Sequence, residues 1–228
     1  MPLFGRNKQL PTTSYGYVPP PQATAVGWRC GDWDCSRTGE PGDVPRHWPY
    51  ACPQCGRPAD PKFAEPWAHD ARGVELQHQI ATGVDTGGLA NYELLAWRYK
   101  DAIRRGDRAN ADAARAAFWA HHETSSVPSN LSWGATLLVH HEQEAGEFAS
   151  AAEDILRWLQ VSRADADWTE RDNCKQVVSV AVEFLLSPGA STQAQAGAIL
   201  DQARTLGIAA EDYLSHATVV GLEQLQGL

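Results

Sequence analysis

Four of the five cysteines form two pairs, Cys30 with Cys35 and Cys52 with Cys55. Four residues separate the first two thiols, two separate the second, and sixteen lie between the pairs. Zinc takes thiolates at tetrahedral corners about 2.3 Å away, and cysteines two to four residues apart span one edge. Four sulfurs leave no coordination position for water, which zinc catalysis requires. The expected cofactor is therefore one structural Zn2+ ion. Two disulfides would need an oxidising compartment, and no export segment is evident. Unligated thiols would leave about thirty residues with almost nothing to fold around.

The run Cys52-Pro53-Gln54-Cys55-Gly56 resembles the knuckle of zinc-ribbon and rubredoxin-type modules. The resemblance covers residues 28–58. It implies a positive φ at Gly56 and backbone N–H groups aimed at the sulfurs. The four-residue spacer of the first pair departs from the commoner two and argues against a redox iron centre. Trp28 and Trp48-Pro49-Tyr50 are placed to roof a site too small for a core of its own.

Other constellations are weaker. His121-His122-Glu123 and His140-His141-Glu142 could hold a second metal if their helices faced each other, and a metalloenzyme would follow. Solvated or capping histidines explain the same adjacency. Lone Cys174 reads as buried packing. Arg98, Lys100, Arg104, Arg105, Arg108 and Arg115 oppose only Asp101, Asp107 and Asp112, and Trp97 and Tyr99 interleave with them. Basic and aromatic residues together suit nucleic acid, but helical period sends Tyr99 inward and leaves a solvated face. Arg98, Arg104, Arg105 and Arg108 are kept as candidate partner-binding residues.

These groups need elements to hold them. Residues 1–26, with Pro2, Pro11 and Pro19-Pro20-Pro21, read as a disordered tail. Residues 27–60 form the ribbon, and Pro58, Pro61 and Pro66 mark a linker. Residues 61–228 read as successive helices broken at Gly106-Asp107, Pro128-Ser129, Gly146 and Pro188-Gly189. Tyr92, Leu95, Ala96, Tyr99 and Ile103 form one apolar strip and Leu94 and Trp97 a second, so that helix is packed between neighbours. The next helices place Ala113, Ala116, Ala117 and Trp119, then Leu131, Ala135 and Leu138, then Phe148, Ala152, Ile155 and Leu159 inward. Beyond them follow Val177 to Leu186 and two further helices, through Ile199 and Leu206 and through Tyr213 and Leu225.

The turns at Gly106 and Gly146 resemble those of tetratricopeptide-type repeats, although their 40-residue separation exceeds the 34 of that family. The fold class expected is mainly α: a small zinc ribbon followed by an irregular, tetratricopeptide-like helical repeat.

The formal charge is −9, and from Phe118 onward fifteen acidic residues face five basic ones. Such acidity disfavours non-specific polyanion binding. No apolar run approaches the roughly 20 residues of a membrane helix, and no signal peptide opens the chain, so a cytoplasmic protein is expected. Neither half offers a catalytic constellation or a small-molecule site. The function expected is a non-enzymatic protein-binding or adaptor protein. The alternative is a nucleic-acid-associated transcription or translation factor using the ribbon and residues 98–115.

Overall fold

The structure, a computed structural model, describes residues 9–84 (except 33, 36, 40 and 41), 88–124, 129–164 and 198. The helices expected through Val177–Leu186 and beyond, and Cys174, lie outside the described residues. The fold is mainly helical with a small sheet near the N-terminus.

The chain divides between residues 85 and 86 into two units. In the first, β1 (Ala25–Cys30), β2 (Tyr50–Ala51) and β3 (Pro58–Phe63) form an antiparallel sheet in the order β1-β3-β2. Helix α1 (Trp67–Thr82) follows and packs on β3. Two expectations are corrected here. The linker expected at Pro58 and Pro61 is the central strand. Pro58 is its first residue, where a missing N–H is tolerated. Pro61 faces Trp28, and Trp28 turns its carbonyl away from β3 to Gly39, so Pro61 also turns its nitrogen away from β1. The two residues of β2 reach only Pro58 and Ala59, so no ladder bond is lost at Pro61.

The second correction concerns the tail. Residues 9–24 are folded: Tyr15 and Tyr17 are buried with Phe63 and Ala71, and Tyr17 meets Phe63 edge-on at 5.2 Å. Asp60, buried in β3, accepts from Ser14 through both its backbone N–H (2.7 Å) and its hydroxyl (2.6 Å). Arg29 reaches over the Tyr15 ring and pairs with Glu75 of α1 at 2.8 Å. The prolines of the tail remove backbone donors, yet two aromatics and one buried carboxylate suffice to fix it. The first unit thus takes in tail, ribbon and α1, and the boundary expected at residue 60 lies 25 residues later.

The second unit holds α2 (Leu89–Arg104), α3 (Arg108–Thr124), α4 (Ser129–Glu144) and α5 (Phe148–Ala164). The turns fall at Gly106 and Gly146, both in the left-handed region that glycine adopts at little steric cost. The last two helices begin and end forty residues after the first two. Two cross-links show α2 and α4 running in the same direction: Trp133 Nε1–H donates to Glu93 (2.8 Å), and Lys100 pairs with Glu144 (3.0 Å). The core contains Tyr92, Ala96, Tyr99, Phe118, Trp119, Leu138, Ile155 and Trp158. On α3 the buried residues are Ala111, Ala114, Phe118 and Trp119. Ala113, Ala116 and Ala117, expected inside, are exposed. A helix this rich in alanine lacks the contrast that makes a period readable.

Candidate metal centre

Each knuckle is built by backbone hydrogen bonds that leave the thiols facing one another. At the second, β2 and β3 form the stem, the Cys52 N–H donates to Arg57 O (2.8 Å), and Gly56 N–H donates to Cys52 O (2.8 Å). Gly56 has φ +74°, as the turn demands. At the first, β1 delivers Cys30, whose N–H donates to Arg37 O (2.8 Å), while Cys35 N–H donates to Asp32 O (3.0 Å).

The four sulfurs all lie within 4.8 Å of one another. Cys30 Sγ is 3.4 Å from Cys55 Sγ, and Cys35 Sγ is 3.8 Å from Cys52 Sγ. A tetrahedron with metal–sulfur bonds of about 2.3 Å has edges of about 3.8 Å. The cluster has the size, count and donor chemistry to hold one metal ion. Both of these contacts run between knuckles, so the site draws on both pairs.

The Asp32 N–H points at Cys30 Sγ at 3.4 Å. Burial nevertheless pushes the Cys30 thiol up to about 12, with the neighbouring thiols adding to the shift. Burial also opposes ionisation of Cys52, but N–H groups of Cys55 and Gln54 outweigh it and bring that thiol down to about 7.

The roof is as expected. Trp28 is 3% exposed and meets Tyr50 edge-on at 5.1 Å, and Tyr50 meets Trp48 at 6.4 Å. Trp28 Nε1–H donates to Asp43 (3.0 Å). Gly39 is needed beneath the indole, because a Cβ there would stand 2.3 Å from Trp28 Nε1.

The histidine pairs do not converge. His121 and His122 surround Tyr92, whose hydroxyl lies 3.3 Å from His122 Nδ1. His140 and His141 both face Glu144 at 3.4 Å. Burial and the Lys100 charge lower His141 to about 4. Among the described residues, the four cysteines are the one group with metal-ligand geometry.

The basic stretch is largely answered by carboxylates. Arg105 pairs with Asp101, and Arg108 with Asp112 and Glu147. Arg98 and Arg104 are exposed on α2. Arg115 enters a polar cluster that the sequence pattern did not reveal. Its Nε and Nη2 donate to Asp154 (2.8 and 2.7 Å), and Nη2 also reaches Glu153 and Ser150 O. Trp119 Nε1–H donates to the same Asp154 (3.0 Å). Glu142 of α4, fully buried, lies 3.3 Å from Arg115 Nε. These contacts join α3 to α4 and α5.

No protein-family model, no curated protein and no solved structure matches the chain. Among the described residues, no helix is long and apolar enough to cross a membrane.

Proposed function

We propose that the chain is a non-enzymatic protein-binding or adaptor protein, with one Zn2+ ion held by Cys30, Cys35, Cys52 and Cys55. The observation that carries this reading is the closed set of four mutually adjacent sulfurs. Such a set fills every tetrahedral position, so the ion braces the sheet and is not offered to substrate. Four cysteines serving as metal ligands and not as disulfides suit a reducing compartment, the cytoplasm. The stacked hairpins supply the scaffold, as helical repeats do when they present an extended surface to another protein.

Two measurements test the reading. Metal analysis of chain purified under reducing conditions is expected to return one zinc per molecule. Affinity purification from native cells is expected to return a stoichiometric protein partner. Two metals per chain, or an apo chain recovered alone under several conditions, would count against it.

A further inference from the structure

The two knuckles are closed in different ways. The second turns on itself: Gly56 N–H returns to Cys52 O, and N–H groups of Cys55 and Gln54 point at the Cys52 sulfur. The first has four residues between its cysteines, and its Asp32 N–H meets the Cys30 sulfur. Asp32 is also the residue on which that longer loop closes. Its carbonyl accepts from Cys35 N–H (3.0 Å), and its Oδ1 accepts from Asp34 N–H (3.2 Å). A side-chain oxygen that bonds the backbone two residues on mimics a backbone turn. The other carboxylate oxygen, Oδ2, lies 3.1 Å from Arg57 Nε. Arg57 belongs to the second knuckle, where its carbonyl accepts from Cys52 N–H (2.8 Å). The strand register sets Cys30 opposite Ala59, and Gly31 N–H donates to Pro58 O (3.0 Å) just beyond. Continued by one more residue, that register sets Asp32 opposite Arg57. A chain of contacts therefore runs from Cys30 and Cys35 through the Asp32–Arg57 pair to Cys52.

Magnitude and sign separate a working pair from an incidental one. The Arg57 side chain is 69% exposed and that of Asp32 is 18% exposed. An ion pair so placed ordinarily shifts an equilibrium by less than about fivefold. Groups that orient metal ligands change metal affinity by about tenfold to a hundredfold. Here each end of the pair is bonded to the backbone of a ligand loop. The sign follows from the charge of the cluster. Four thiolates around one divalent ion leave a net negative charge beside the Asp32 carboxylate. If charge alone mattered, removing that carboxylate would tighten metal binding. If position matters, removing it frees the knuckles and weakens binding.

We propose that Asp32 and Arg57 are positioning residues for the metal, their ion pair clamping the two knuckles so that the four sulfurs stay together. This rests on the zinc reading of the four cysteines and adds to it two residues outside the ligand set.

The test uses the full chain under reducing conditions, with zinc affinity measured against a competing chelator. Asp32→Asn keeps an oxygen for the Asp34 N–H, and Arg57→Gln keeps the carbonyl that Cys52 uses, so neither removes a backbone bond of the loops. Each is expected to weaken zinc binding about tenfold. The double variant is expected to be no weaker than either single one, since the first substitution already breaks the pair. At saturating Co2+ the charge-transfer and d–d absorption of the variants is expected to match wild type, the ligand set being unchanged. Losses under about fivefold, tighter binding by Asp32→Asn, or additive losses in the double variant overturn the proposal. Altered Co2+ bands also overturn it, since the pair would then build the ligand set and not brace it. A wild-type chain that takes up no zinc removes the metal reading and the clamp together. One zinc in wild type, held as tightly by the variants, removes the clamp and leaves the metal reading standing.

Discussion

Glu142 is buried beside Asp154, and neither of its oxygens meets a hydrogen-bond partner among the described residues. Burial, and then the Asp154 charge, raise its carboxyl to about 10, against which Arg115 works in the other direction. The folded chain therefore holds a proton that the unfolded chain releases above the ordinary value of 4.5. Stability from this group is fully present below that pH and is lost as pH rises toward the folded value. The loss from this group falls across the neutral range, so stability is expected to decline as pH rises from about 6 to about 8. Glu142→Gln, neutral throughout, is expected to flatten this slope in thermal denaturation followed by helical circular dichroism. Parallel pH profiles for variant and wild type would refute the assignment. A second residue-scale prediction concerns Gly39, where alanine would strike the Trp28 indole ring and not a flexible tip. Gly39→Ala is expected to destabilise the metal-loaded first unit by about 1–3 kcal/mol, read from the tryptophan fluorescence transition. Gly39 did not stand out in the sequence and Glu142 stood out only beside His140 and His141, because a loop glycine and a helical glutamate declare their roles only once their neighbours are known.

At the scale of elements, three helix boundaries were readable where glycine or proline interrupted an alanine-rich run, while the break between α1 and α2 at Gly83 and Gly88 was not. The turns at Gly106 and Gly146 and the start of α4 at Ser129 fall where expected. Strand β3 was not readable, since two prolines argue against a central strand unless the neighbouring strand is short. The contact between α2 and α4 depends on one small residue. A Cβ at Gly134 would come within 2.6 Å of Tyr92 Cβ and 3.1 Å of the Phe118 ring. Alanine would improve helix propensity by about 0.8–1 kcal/mol, but overpacking a filled core costs about 1–3 kcal/mol. Gly134→Ala is therefore expected to lower the stability of the second unit by up to about 2 kcal/mol, measured as a shift in urea midpoint. A rise in midpoint would mean that α2 and α4 can separate to admit the methyl.

For the whole molecule, the division at residues 85 and 86 sets what metal loss should do. Removing the ion with a chelator, or replacing Cys52 with serine, is expected to abolish hydrogen-exchange protection in β1–β3. Structural zinc contributes folding energy outright, on the order of 10 kcal/mol at neutral pH. Residues 88–164 are expected to keep their protection, and collapse of both units would refute the two-unit division. Sequence alone singled out the four cysteines that come together as a candidate metal site, because thiol chemistry and knuckle spacing are local properties that four residues declare by themselves. It also determined the mainly helical class, through glycine turns and apolar strips. Tertiary structure decided that the four sulfurs meet, that Tyr15 and Tyr17 anchor the tail, and that Arg115 is held by Asp154 beside the buried Glu142. Each of those depends on groups that approach only after the backbone has folded, and no local pattern encodes such a distance.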